Sequence, residues 1–202
     1  MKLNRLEFLL MNNPIRAYAQ EKYELPMLMS MLSANTFSSV LEIGCGNGNG
    51  TKLIQKRFEP KHMTAIDIDQ KMIKRARDAV RDPQITFQVM DASQLGFANQ
   101  SFDAIFDFGI IHHIPNWRAC IAELRRVLKK GGKLILEEFS IETFSGFPGR
   151  IYRSLLAHPY DQMFSIEEFV QYLKDAGFRI HGVKTANPFK IARYFWVVAS
   201  AE

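Results

Sequence analysis

Cysteine is scarce in this sequence, with only Cys45 and Cys120 among 202 residues. Two such distant thiols suggest neither a disulfide framework nor a metal site, and a reducing cytoplasm is the expected compartment. Long apolar runs are missing as well. The longest candidates, Leu25 to Ala34 and Tyr194 to Ala201, fall far short of the roughly 18 residues needed to cross a bilayer. Peripheral contact is the membrane role this leaves open. Glu7 and the Asn12-Asn13-Pro14 break interrupt the apolar stretch at the amino terminus, so no signal peptide is expected. Nor is there a block of one charge, because 26 Lys and Arg interleave with 21 Asp and Glu for a net +5. That balance excludes a basic tail and gives no reason to expect a stable nucleic acid partner. Repeats, low-complexity tracts and interdomain linkers are absent too.

What is present is a 47% hydrophobic chain of a length suited to one domain, 1–202. Residues 1–35 read as a helical cover, rich in Met and Leu and divided at Pro14, which suits the first turn of a second helix. Over 36–202, strand and helix patterns alternate. Strands are expected at Ser39–Ile43, His62–Ile68, Ile85–Met90, Phe102–Phe108, Lys133–Phe139 and, roughly, Phe178–Lys184 and Ile191–Ser200. Asp69 and Asn116 are placed to cap helices, Gly131 and Gly132 to end one, and Ser165 with Glu168 to form a capping box. An aromatic-rich insertion occupies about 139–164. The alternation implies an α/β fold with a doubly wound, mostly parallel seven-stranded sheet.

The strongest local signal is Glu42-Ile43-Gly44-Cys45-Gly46-Asn47-Gly48-Asn49-Gly50, where an apolar strand runs into alternating glycines and then a helix. Glycine there lets the backbone approach a ligand at the carboxyl end of the strand. A dinucleotide fingerprint would need Gly or Ala where Asn49 or Thr51 stands, and the phosphate loop's Gly-Lys-Ser/Thr ending is missing. NAD and ATP readings are thereby disfavoured. Asp67 ends the second strand, 19 residues beyond Gly48, where a carboxylate can accept both hydroxyls of a ribose. Asp91 holds the same place after the third strand.

Together these residues resemble the class I, Rossmann-like methyltransferases that use S-adenosylmethionine, of the broad type that includes ubiquinone and menaquinone biosynthesis enzymes. Glu42-x-Gly44-x-Gly46-x-Gly48 is similar to their first motif, Ala65-Ile66-Asp67-Ile68-Asp69 to the second, and Met90-Asp91-Ala92 with Ser101-Phe102-Asp103 to the third. Ile111-His112-His113-Ile114 and Leu124 through Gly132 extend the match. The resemblance implies an antiparallel last strand and S-adenosylmethionine as cofactor. It places Gly44, Cys45, Gly46 and Gly48 along the methionine portion, Glu42 near its ammonium and Asp67 on the ribose. Ile68, Asp91 and Ala92 fall on the adenine, and Asp107 stands at the cofactor end of the fourth strand.

Methyl transfer from a sulfonium needs alignment more than catalytic side chains. His112, His113 and Tyr152 are the expected bases, with His158 a further candidate. Asp107-Phe108-Gly109 lacks the two prolines of adenine and cytosine methyltransferases. Asp107 with Glu137 or Glu138 is too thin for a magnesium site, and no metal is expected. A small or amphipathic methyl acceptor is expected instead, covered by the amino-terminal helices and by Tyr18, Tyr23, Met27, Phe144, Phe147, Tyr152, Tyr160 and Phe164, with Arg16, Arg150 or Arg153 for an anionic group. Methylation of RNA or protein, suggested by Arg125, Arg126, Lys129, Lys130 and Lys133, is the alternative within enzymes. A protein that binds S-adenosylmethionine without turning it over is the alternative outside them.

Overall fold

The structure, a computed structural model, describes residues 13–32, 36–145, 149–156, 158–187 and 193–202. The first of the two expected amino-terminal helices lies outside the described residues. The second starts where Pro14 allows: Asn13 accepts the Arg16 amide at 2.9 Å and α1 runs Pro14–Ala19. It continues through a π-helical turn, Gln20–Glu24, into α2, Leu25–Met29.

Seven strands form one sheet in the order β3-β2-β1-β4-β5-β7-β6. They are β1 Ser39–Ile43, β2 His62–Asp67, β3 Ile85–Val89, β4 Phe102–Phe108, β5 Leu128–Phe139, β6 Phe178–Ala186 and β7 Tyr194–Ala201. The pairs β3/β2, β2/β1, β1/β4 and β4/β5 are parallel, while β7 inserts antiparallel to both β5 and β6. The connecting helices are α3 Asn49–Phe58, α4 Gln70–Ala79, α5 Trp117–Val127, the short α6 Glu142–Ser145 and α7 Gly149–Leu155, and α8 Ile166–Asp175. Strands β1 and β4, buried on both faces, read as apolar runs because helices cover both sides. The strand order reverses between β1 and β4, and such a switch point opens a crevice at the strands' carboxyl ends.

Caps act as their chemistry dictates. Asp69 accepts the Lys71 amide at 2.9 Å and Asn116 the Ala119 amide at 3.3 Å. Ser165 accepts the Glu168 amide at 3.1 Å, but the Glu168 carboxylate turns to Arg118, so only half of the expected capping box forms. A second departure lies at Gly131 and Gly132. Helix α5 ends at Val127 instead, and the chain is already extended at Leu128. Leu128 pairs with Phe102 and Lys133 with Ala104, so residues 129–132 bulge out of the ladder, with Gly131 at φ +76° supplying the turn.

The cover is tied into the core at its carboxyl end. Leu25 and Leu28 are buried in one cluster with Val40, Ile54 and Trp196. Leu28→Ala should therefore lower the unfolding free energy by about 2 to 5 kcal/mol in urea denaturation. An unchanged midpoint would mean that the cover rests on the domain without belonging to its core.

Glu42 braces the turn from β1 to α3. Its carboxyl accepts the Thr51 hydroxyl at 2.5 Å, and a Cβ at Gly50 would sit 2.2 Å from its other oxygen. Burial pushes the Glu42 pKa up to about 8, against the lowering effect of Thr51 and with Asp67 and Asp107 adding repulsion. The unfolded chain releases this proton near the ordinary 4.5. Between those values the folded state holds the extra proton, so stability falls as pH rises. Urea denaturation from pH 5 to pH 8 should show the wild type losing stability relative to Glu42→Gln across that window. Parallel curves would contradict a buried, protonated Glu42.

Candidate active site

The crevice at the switch point is a cleft of about 330 Å³, within the range of small-molecule sites. Its wall starts with the glycine turn after β1. Gly44 adopts φ +66°, and a Cβ there would lie 2.1 Å from Ile110, so only glycine lets this turn close against the loop after β4. Asp67, at the end of β2, accepts the Gly46 amide at 3.0 Å with one carboxylate oxygen and the Asp69 amide at 2.8 Å with the other. Burial raises its pKa, while these two amides act to lower it. Beside it Ile68 is 42% exposed, an apolar side chain left uncovered on the cleft rim. Asp91 binds the Ser93 amide at 2.8 Å and the Ser93 hydroxyl at 2.7 Å.

Of the residues singled out in the sequence, Glu42, Gly44, Cys45, Gly46, Asp67, Ile68, Asp91, Ala92 and His113 line this one cleft. Gly48 caps α3 outside the lining. Cys45 contributes mainly backbone, since its side chain is buried with the thiol directed at the Gly46 carbonyl. Asp107 and His112 stand behind the wall, both buried. Asp107 accepts the Ile110 amide at 3.0 Å and so holds the loop after β4. The side chain of Tyr152, and all of Phe147, lie outside the described residues.

The far end of the cleft departs from expectation. None of Tyr18, Tyr23, Met27, Phe144, Tyr160 and Phe164 lines it. Tyr18 and Tyr23 are exposed, and Phe164 is wholly buried among Trp117, Phe169 and Phe195. Arg16, on α1, and Gln20, the first residue of the π-helical turn, line that end instead, and such turns are common at functional sites. Arg16 is not free for an anionic ligand, because it pairs with Glu24 and, at 3.4 Å, with Glu137. Arg153 lies over the Tyr160 ring at 4.8 Å.

Behind His113 sits a buried polar cluster that sequence reasoning touched only in part. Glu138 meets His112 Nδ1 at 2.5 Å and accepts the Ile111 amide at 2.5 Å and the Phe139 amide at 3.1 Å. Burial and the neighbouring Glu138 hold the Asp107 pKa well above the carboxylate range, whereas Glu138 is raised to about 7, mainly by burial. Burial depresses His112 and His113, and their imidazoles are neutral at pH 7. Gln20 and Thr51 go unnoticed in the sequence, and Glu138 is weighed there only as a magnesium ligand; their spacing carries no signal, because each acts through a contact made by the fold.

Residues 41–136 match the family described as a methyltransferase domain. A phthiotriol/phenolphthiotriol dimycocerosates methyltransferase of Mycobacterium tuberculosis is 36% identical over 93 residues, 46% of this chain and 34% of that protein. The match thus spans about a third of that relative's length. A 27-O-demethylrifamycin SV methyltransferase of Amycolatopsis mediterranei is 26% identical over 184 residues, covering 86% of this chain and 65% of its own. Among solved structures, a SAM-dependent methyltransferase of Methanosarcina mazei superposes with a TM-score of 0.69 at 25% identity, over 87% of this chain and 97% of that one. With its seven-stranded sheet, reversed β7 and glycine turn, the chain has the class I, Rossmann-like methyltransferase fold, and residues 41–136 within it match the methyltransferase domain.

Proposed function

We propose that this protein transfers the methyl group of S-adenosylmethionine to a small or amphipathic acceptor held at the Gln20 and His113 end of the cleft. The observation that carries the reading is the placement of Asp67 and Asp91, at the ends of β2 and β3, along one cleft with the glycine turn of β1. The residues fit the cofactor. Asp67, its carboxylate oriented by two amides, would hold the ribose hydroxyls. Exposed Ile68 would lie against the adenine, Asp91 and the Ala92 amide would meet its edge, and the Gly44 to Gly48 turn would border the methionine chain. When bound, the cofactor supplies an activated methyl on a sulfonium.

The chain's own residues then have to orient the acceptor and handle its proton. His113 lines the cleft as a neutral imidazole, able to accept a proton from an acceptor hydroxyl or amine. Glu24 and Glu137 neutralise Arg16, so this end favours an acceptor without a free anionic group. The relatives' names, a phthiotriol ester and a demethylrifamycin, agree with a small or lipid-like acceptor. Arg125, Arg126 and Lys129, near the end of α5, find partners within the protein. Arg125 donates to Gly177 and Glu202 carbonyls, Arg126 pairs with Glu123, and Lys129 pairs with Asp103. This argues against a nucleic acid surface there.

Calorimetry should show S-adenosylhomocysteine binding in preference to NAD. Asp67→Asn, gentler than alanine toward the two amides, should weaken that binding by about 1.5 to 3 kcal/mol. Tritiated S-adenosylmethionine with fractionated cell extract should label a small-molecule or lipid fraction. Equal affinity for NAD would defeat the cofactor assignment, and label confined to RNA or protein would defeat the acceptor class.

A further inference from the structure

We propose that His112, His113 and His158 form a binding site for one borderline divalent cation, of which Zn²⁺ is the type, open toward the cleft on the His113 side. One ring nitrogen from each residue lies within 4.8 Å of those of the other two. The rings contact one another directly, with centroids 4.2, 4.3 and 5.2 Å apart. Three imidazoles without a thiolate suit Zn²⁺, Co²⁺ or Ni²⁺ better than Mg²⁺ or Ca²⁺, which prefer oxygen.

Two observations beyond proximity point to a ligand. His113 is 8% exposed and its Nδ1 has no hydrogen-bond partner, an arrangement that costs desolvation unless something occupies that lone pair. Glu138 contacts His112 Nδ1 at 2.5 Å while the Ile111 and Phe139 amides fix the carboxylate. Such a carboxylate sets the ring tautomer and leaves Nε2 as the donor, the arrangement found behind metal-binding histidines.

Tetrahedral coordination at about 2.0 to 2.1 Å brings donor nitrogens to roughly 3.3 Å from one another, so nitrogens within 4.8 Å of one another need close by no more than about 1.5 Å. His112 and His113 are fixed on the turn Ile111–His113. The adjustment falls to His158, which is half-buried against the rings of Phe144 and Tyr160. Three protein ligands leave a fourth position open, and because a neutral imidazole has one lone pair, a cation held by His113 and proton acceptance by His113 are mutually exclusive states of the site.

Co²⁺ is the practical probe, because low-coordinate Co²⁺ absorbs visibly and the two thiols, Cys45 and Cys120, are buried. Tag-free protein stripped of metal should develop that absorption with one equivalent of Co²⁺ and lose it to one equivalent of Zn²⁺. His158→Ala should weaken Co²⁺ binding at least 100-fold and Glu138→Gln about 10-fold, whereas His62→Ala and His181→Ala should change nothing. His158 lies outside the cleft lining, so S-adenosylhomocysteine binding in the same sample verifies that its variant is folded. Absence of the band in wild-type protein, or its survival in His158→Ala, would overturn the site. The readout involves no methyl transfer and so fails independently of the proposed activity.

Discussion

Asp67 spends both carboxylate oxygens on backbone amides, one from Gly46 in the turn after β1 and one from Asp69 in the turn after β2. This double contact ties two neighbouring strand ends together and fixes the spacing between the glycine turn and the rim that carries Ile68. The cleft depends on it. Gly44 can close on Ile110 only if its turn is held back toward β2, and Glu42 can be buried beneath Gly50 only if α3 starts where that turn delivers it. A carboxylate fixed in this way is oriented in advance, so a ligand that uses its remaining lone pairs need not order it.

The interior behind the cleft carries an unusual load of acid. Glu42, Asp107, Glu137 and Glu138 are all essentially inaccessible. Burying so many charges would be costly, and protonation together with local pairing offsets much of that cost. Glu42 keeps its proton, burial pushes Asp107 toward its neutral form, Glu137 faces Arg16, and Glu138 is held by amides and His112. The outcome is a cleft floor without strong net charge, next to neutral imidazoles. That environment suits a reaction in which a cationic methyl donor becomes neutral.

Much of this architecture was legible in the sequence because it is periodic or local. Strand runs, caps at Asp69 and Asn116, and acids at the ends of β2 and β3 all follow from short-range patterns. What stayed hidden depends on distant pairing. Nothing near Arg16 announces Glu137, 121 positions away, and nothing near His112 announces His158, which arrives from an aromatic segment without regular spacing. The same segment misled in another respect. Phe144 and Phe164 were expected against the acceptor, but composition alone cannot separate an aromatic that faces a cleft from one that packs on Trp117 and Phe195. The bulge in β5 was equally unreadable, since a glycine pair ends a helix as readily as it turns a strand.

The most direct test of the account is a crystal structure of the protein with S-adenosylhomocysteine. The ribose hydroxyls should rest on Asp67, the adenine should cover Ile68 and reach Asp91, and the sulfur should face the chamber bounded by Gln20 and His113. Ligand density in the reverse orientation, or outside the cleft between β1 and β4, would contradict it.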